Sequence, residues 1–111
     1  MSLKIQIKNF YSGFKTNPLL ENYIDILNGN KFRLEKIISK GYKTPNAKWL
    51  SESVDEFVLL LKGKAEILFE TGQIVELKEG DYLIIPSNTK HKVIKTSIRP
   101  LCYWLTIHFK K

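Results

Sequence analysis

Short apolar stretches and turns rich in Gly, Asn and Pro alternate along the chain from residue 31 to its end. Short apolar runs bounded by such turns predict β-strands. A long series of short strands is typical of a sandwich or barrel, so the pattern predicts an all-β fold. The predicted strands cover residues 32–39, 47–51, 54–63, 64–70, 73–78, 82–86, 91–96 and 101–109.

The segment before these strands has a different pattern. Asn17 can cap a helix and Pro18 suits the first helical position, while the sequence NGN at 28–30 is a stop signal. Between them apolar residues recur at helical spacing, which predicts a short amphipathic helix over residues 18–28 that packs on the outside of the strands. These apolar residues are Leu20, Tyr23, Ile24 and Leu27.

Residues 3–10 alternate between apolar and polar side chains, which favours an edge strand. With the helix, this segment forms an N-terminal extension at residues 1–30. The β-barrel is then expected to occupy residues 31–111. The stretches 54–63 and 64–70 meet at the turn around Gly63, and we expect them to pair as a hairpin.

The strand at 54–63 is apolar on both faces. Because side chains alternate along a strand, Glu56 shares a face with Val58 and Leu60 if it points inward. The opposite face must be covered by the helix, by a second sheet or by another subunit. Its length favours another subunit, so we expect a homodimer. The outward residues are Phe57, Leu59 and Leu61.

The closing strand at 101–109 also has two distinct faces. His108 shares one of them with Thr106, Trp104 and Cys102. The other face is apolar and consists of Leu101, Tyr103, Leu105, Ile107 and Phe109.

Length and composition are those of one globular domain. The chain has 111 residues, of which 43% are hydrophobic, and one cysteine, Cys102, which rules out an internal disulfide. No apolar run is long enough to span a membrane, and the N-terminus lacks the pattern of a signal peptide. These features predict a cytoplasmic protein without membrane contact.

The formal net charge is +7, from 18 Lys and Arg against 11 Asp and Glu. Two of the cations are arginines and the rest are lysines scattered along the chain. Arginine is the residue favoured for forked contacts to phosphate or guanine, and no interleaved aromatic pattern accompanies the charge. The lysines therefore indicate a solvated surface rather than a nucleic-acid site.

Two motifs carry the candidate chemistry. Glu56 precedes Gly63 with six residues between them. Downstream, the sequence GDYLIIPSNTKH begins at Gly80, stops a strand at Pro86 and ends at His91. In these spacings the chain resembles a cupin over about residues 31–109, and it is similar to small single-domain cupins of the cupin-2 type. The resemblance implies a double-stranded β-helix, or jelly-roll, barrel.

The resemblance also implies where a metal would bind. Metal-binding cupins hold a divalent ion with three histidines and one glutamate, but this chain has two histidines, and the expected first pair falls on Trp49 and Ser51. What remains as a candidate set is Glu56, His91 and, if geometry permits, His108, for Fe, Mn, Ni or Zn. The candidate ligand pocket is Trp49, Ser51, Glu56 and His91.

Three functions follow as alternatives. The first is a barrel that binds a small molecule and has a degraded metal site. The second is a metal-dependent enzyme of the dioxygenase, isomerase or decarboxylase type that uses Glu56, His91 and His108. The third is a structural or protein-interaction barrel. The fold alone does not choose among them, because one fold hosts many functions.

Overall fold

The computed structural model describes residues 4–12 and 21–111. This part of the chain forms eight β-strands in two antiparallel sheets, with the order β1-β2-β8-β3-β6 in one and β5-β4-β7 in the other. The described residues include no helix, and therefore none that could cross a membrane. The strands are β1 (Asn22–Asn28), β2 (Phe32–Ser39), β3 (Asp55–Lys62), β4 (Ala65–Phe69), β5 (Ile74–Leu77), β6 (Tyr82–Ile85), β7 (His91–Thr96) and β8 (Cys102–Phe109).

Both sheets contribute to one hydrophobic core. The larger sheet supplies Leu60 and Trp104, and the smaller sheet supplies Ile67, each almost fully buried. Alternate residues of β3 and β8 are buried, as the period of two in their sequences predicts. The all-β jelly-roll prediction is confirmed, and so is the inward face of β3 with Glu56 and Val58.

The predicted hairpin between β3 and β4 is wrong. β3 pairs with β6 and β8, whereas β4 pairs with β5 and β7 in the other sheet. Gly63 lies at this crossing with φ 96°, and a Cβ there would approach the Sγ of Cys102 and the Oγ of Ser97 to 2.8 Å. The glycine therefore allows the chain to pass from one sheet to the other, where a side chain would not fit.

The predicted helix at 18–28 is also wrong where the structure describes it, because Asn22–Asn28 is strand β1, while residues 18–20 lie outside the described residues. The segment contains Ile24 and Ile26, which are two residues apart, and β-branched residues favour strands. In so short a segment the apolar residues fit the helical period of 3.6 and the strand period of 2 equally well. Pairing along the free edge of β2 supplies backbone hydrogen bonds that decide in favour of the strand.

The edge strand predicted at 3–10 is likewise not formed over the described residues 4–12. Its end is held instead by side-chain contacts: the Nζ of Lys36 donates to the carbonyl oxygen of Phe10 at 2.9 Å, and the rings of Tyr11 and Tyr103 meet edge to face at 4.9 Å. The segment thus covers part of the outer face of β2 and β8 without joining the sheet.

Candidate functional site

Three neighbouring strands bring acidic and imidazole side chains to one place inside the barrel. β8 lies between β2 and β3, and His108 is directly opposite Glu56 of β3 and Arg33 of β2. Glu35 of β2 is opposite Thr106, two residues before His108. Because residues two apart share a face, the side chains of Glu35, Glu56 and His108 all point inward.

These three side chains form a buried polar cluster. The Nε2 of His108 lies 2.9 Å from the Oε1 of Glu35 and 3.4 Å from the Oε2 of Glu56. The hydroxyl of Thr106 donates to the same Oε1 of Glu35 at 3.3 Å. All four residues are more than nine-tenths buried, so their polar atoms depend on one another rather than on water.

The cluster favours a charged imidazole. The hydrogen bond to Glu35 raises the pKa of His108 above its ordinary value, and the charge of Glu56 adds to this, although burial opposes it. Burial would raise the pKa of Glu35, but the hydrogen bond and charge of His108, together with Arg33, lower it overall. His108 and Glu35 therefore form an imidazolium–carboxylate pair.

The pKa of Glu56 shifts in the opposite direction to that of Glu35. Its pKa is raised to about 7, chiefly by burial; the charge of His108 lowers the pKa, and the nearby charges of Glu52 and Glu35 raise it. Two carboxyl groups that flank one imidazole thus differ in protonation near neutral pH. A carboxyl group that titrates near neutrality beside an imidazolium can give a proton to, or take one from, a molecule bound next to it.

His91 reaches the same place from the opposite sheet. It begins β7 and forms an isolated bridge with Leu50. Its Nδ1 lies 2.9 Å from the carbonyl oxygen of Thr89, which can only accept, so Nδ1 carries the hydrogen. Its Nε2 then faces the Oε1 of Glu56 at 4.0 Å.

A cavity of about 320 Å³ opens between the two sheets beside this cluster. One part of its wall is apolar and includes Val58, Ile67 and Ile85. The other part is polar and includes the buried cluster with Ser51, Glu52 and Arg33. Its size is at the lower end of the range for small-molecule pockets.

One buried atom in this wall has no hydrogen-bond partner within the protein. The Nδ1 of His108 is inaccessible to solvent, and the nearest carboxylate oxygen, Oε1 of Glu52, is 4.0 Å away. A buried ring nitrogen without a partner costs free energy of about 1–3 kcal/mol.

The sequence-predicted residues fall in two places. Ser51, Glu56, His91 and His108 line the cavity. Trp49 does not, because its side chain turns outward and is 38% exposed, with the Nζ of Lys92 lying 4.4 Å from its ring centroid.

Sequence reasoning missed Glu35 as a residue of the site. Glu35 stands in the middle of an apolar strand, FRLEKIIS, at the same alternation as Ile37. A carboxylate on the buried face of a strand is a signal that it needs a partner, and this signal was available from the sequence.

The donor set does not fit a divalent metal ion. Among the described residues, no group of three or more His, Cys, Asp or Glu is arranged to hold one. The Nε2 of His108 is engaged by Glu35, and the two imidazoles approach different oxygens of Glu56 instead of a common point. The set predicted from the resemblance, Glu56, His91 and His108, thus converges without forming a ligand shell.

Two facing antiparallel sheets with a polar site between them define a small jelly-roll barrel. The sequence profile of the cupin domain matches residues 38–108, more than half of the chain. The chain therefore belongs to the cupin family.

Solved structures agree with this fold. A protein from Ralstonia eutropha JMP134, named as a candidate mannose-6-phosphate isomerase, is 25% identical with a TM-score of 0.86, over 96% of this chain and 99% of that one. A cupin superfamily protein from Desulfitobacterium hafniense DCB-2 is 16% identical with a TM-score of 0.72, over 88% and 84% of the two chains.

The DMSP lyase DddQ from Ruegeria pomeroyi DSS-3 is 16% identical with a TM-score of 0.70, over 82% of this chain and 47% of that one. At this identity the likeness concerns the fold. None of the curated proteins matches the chain.

Proposed function

We propose that this cupin binds a small polar molecule inside the barrel without a metal ion. The observation that carries the proposal is the wall of the cavity of about 320 Å³, where the buried side chains of Glu35, Glu56 and His108 meet. Apolar side chains would pack the interior of the barrel without these ionisable groups. Buried ionisable groups cost stability unless they are paired, and they are typical of sites that act on a bound molecule.

The geometry suits such a site. The clustered side chains come from paired strands, so their positions are held by backbone hydrogen bonds before any molecule arrives. Preorganised groups lose little entropy when they bind a ligand. The apolar residues Val58, Ile67 and Ile85 complete a pocket with one polar and one apolar wall, as small-molecule sites usually have.

The names of two structural neighbours support a small organic ligand. One is named for the isomerisation of a sugar phosphate and the other for the cleavage of DMSP. Both names concern small molecules, although they concern different chemistry. This agrees with a barrel whose interior is the binding site.

A ligand screen with a filled-cavity control tests the proposal. We would record ligand-observed NMR spectra with mixtures of sugars, hydroxy acids, amines and sugar phosphates, on the natural protein and on Ile67→Trp. Ile67 lines the cavity, so the larger side chain should fill it. Compounds that bind the natural protein and lose binding in the variant support the proposal. No compound that behaves in this way would count against it and favour an interaction barrel.

A second candidate function is an enzyme that moves a proton without a metal. It is favoured by the position of Glu56 and His108, which contact each other and line the same cavity. A carbonyl compound bound there would lose a C–H proton to Glu56 and regain one from it. Incubation in D₂O would then place deuterium on carbon with the natural protein and not with Glu56→Gln.

We also propose that the protein works as a homodimer. The outer face of β3 and β6 carries Phe57, Tyr82 and Ile84, and the last two are more than half exposed. The rings of Phe57 and Tyr82 lie 5.4 Å apart and form a continuous apolar surface. A second copy would remove this surface from water.

A further inference from the structure

Residues 4–9, which we call the N-terminal arm, carry the two most exposed large apolar side chains of the described part of the chain. The arm has the sequence KIQIKN, and Ile5 and Ile7 are 92% and 97% exposed. Apolar residues at every second position are typical of a β-strand with one face against a neighbour. Over the described residues, however, the arm pairs with no strand of its own chain.

The end of the arm is fixed on the outer face of the larger sheet. The Nζ of Lys36 on β2 donates to the carbonyl oxygen of Phe10, and the ring of Tyr11 packs against that of Tyr103 on β8. The same sheet carries the exposed apolar residues of the proposed dimer face on β6. The arm therefore leaves its chain from the side on which we place the second copy.

Strand β6 offers an edge to which such a segment could add. It lies at the end of the larger sheet, and among the described strands it pairs with β3 alone. The backbone groups on its other side are a template for a strand from another chain. β6 has four residues and is roughly 13 Å long at about 3.3 Å per residue, so the six residues of the arm are enough to cover it.

A groove of about 310 Å³ lies between β6 and β5, the neighbouring edge of the smaller sheet. Its lining includes apolar side chains and two carboxylates, from Val75, Leu77, Leu83, Glu76 and Asp81. The arm brings the opposite charges, since Lys4 and Lys8 flank its isoleucines. Complementary charges of this kind favour one partner and one orientation.

We propose that the arm of each copy pairs with β6 of the other copy and adds a sixth strand to its larger sheet. The inference rests on the homodimer proposed above and names the segment that joins the two copies. Ile5 and Ile7 then extend the apolar row of Tyr82 and Ile84, because residues on the same face of neighbouring strands lie about 5 Å apart. The lysines of the arm fall on the opposite face, towards the carboxylates of the groove.

The exchange of two identical arms gives a closed assembly. Each copy provides one arm and one β6 edge, so a two-fold axis satisfies both contacts at once. The two arms together remove four exposed isoleucines from water. Hydrophobic burial is proportional to the apolar area removed, so the arms should supply a large part of the dimer affinity.

The first test compares two double variants of the full chain. Ile5→Ser with Ile7→Ser removes the apolar face of the arm and leaves the fold intact, because both side chains are almost fully exposed in the single chain. Ile74→Ser with Ile98→Ser is the matched control, since these isoleucines are 53% and 54% exposed and lie outside the groove. Analytical ultracentrifugation over a concentration series should show that the dimer Kd rises at least tenfold in the arm variant and is unchanged in the control.

A second readout locates the arm in the natural protein. In an equal mixture of ¹³C-labelled and unlabelled protein, isotope-filtered NOE spectra detect contacts between copies and not those within one chain. We expect contacts from the methyl groups of Ile5 or Ile7 in one copy to the ring of Tyr82 in the other.

Every outcome bears on the inference. A dimer with unchanged Kd in the arm variant, or without contacts between the arm methyl groups and β6 of the other copy, would overturn it while the homodimer stands. Assemblies larger than a dimer would also overturn it, because they indicate an open chain of arms in place of a reciprocal exchange. A natural protein that is monomeric at millimolar concentration would overturn both the exchange and the homodimer, and the small-molecule function would still be tested separately by the ligand screen.

Discussion

His108 and Glu56 are cross-strand partners in β8 and β3, and the Nε2 of the first lies 3.4 Å from the Oε2 of the second. The same imidazole is hydrogen-bonded to Glu35 on its other neighbouring strand at 2.9 Å. One buried cation is therefore shared by two buried carboxyl groups. The stability of the fold should therefore depend on the charge of His108 and on the protonation of the two carboxyl groups.

Stability should fall as the pH rises towards neutrality. Burial raises the pKa of Glu56 from 4.5 to about 7, so the folded protein retains a proton that the unfolded chain has lost. This contribution is complete below about pH 4.5 and is lost as the pH rises through about 7. It amounts to about 3 kcal/mol over that window. The raised pKa of His108, which comes first from its hydrogen bond to Glu35, acts in the same direction.

The matched variant is Glu56→Gln, which resembles the protonated carboxyl and does not titrate. Urea denaturation at a series of pH values from 4 to 8 would measure both proteins. We expect the free energy of unfolding of the natural protein to decrease relative to that of Glu56→Gln as the pH rises. Parallel curves for the two proteins would mean that Glu56 is not held in its protonated form.

Replacing His108 with Ala should destabilise the protein at pH 7 by about 3 kcal/mol or more. The substitution leaves the carboxylate of Glu35 buried without its cation, and breaking a buried pair by removing one partner costs about 3–5 kcal/mol. Chemical denaturation measures the loss. The double variant His108→Ala with Glu35→Gln should recover part of it, since one uncompensated charge is then removed. A cost below about 1 kcal/mol would contradict the pairing.

Metal removal should have no effect on stability. The described residues include no group of three potential ligands arranged around a metal ion, and the Nε2 of His108 is engaged by Glu35. We expect less than a tenth of an equivalent of Fe, Mn, Ni or Zn in tag-free protein by mass spectrometry. The melting temperature should be the same with and without EDTA. If the natural protein holds a near-stoichiometric metal ion that is lost in both Glu56→Ala and His91→Ala, the result would favour a metal-dependent enzyme over a metal-free binding protein.

The strands were predictable because their residues alternate and their turns are distinct. β2 occupies the predicted residues 32–39, and β7 the predicted residues 91–96. The pairing of strands was not predictable from turns alone. Gly63 permits a sharp change of direction, but it does not say whether the next strand stays in the same sheet or crosses to the other.

The site was predictable in part for the same reason. Alternation puts Glu56 and His108 on the inward faces of their strands, and the resemblance points to His91. Glu35 was missed because its contact with His108 depends on which strand lies beside β8. The orientation of Trp49 depends on a loop, where no alternation applies.

The proposed homodimer makes the last prediction. Light scattering at micromolar concentration should give twice the chain mass of 12.9 kDa. Ile84 on β6 and Ile74 on β5 are almost equally exposed, at 54% and 53%, but Ile84 belongs to the outer face that includes Phe57. Ile84→Lys should therefore give a monomer, because a charge would be buried at the interface, while Ile74→Lys should leave the dimer intact. A monomeric natural protein, or equal behaviour of the two variants, would show that this face is not the interface.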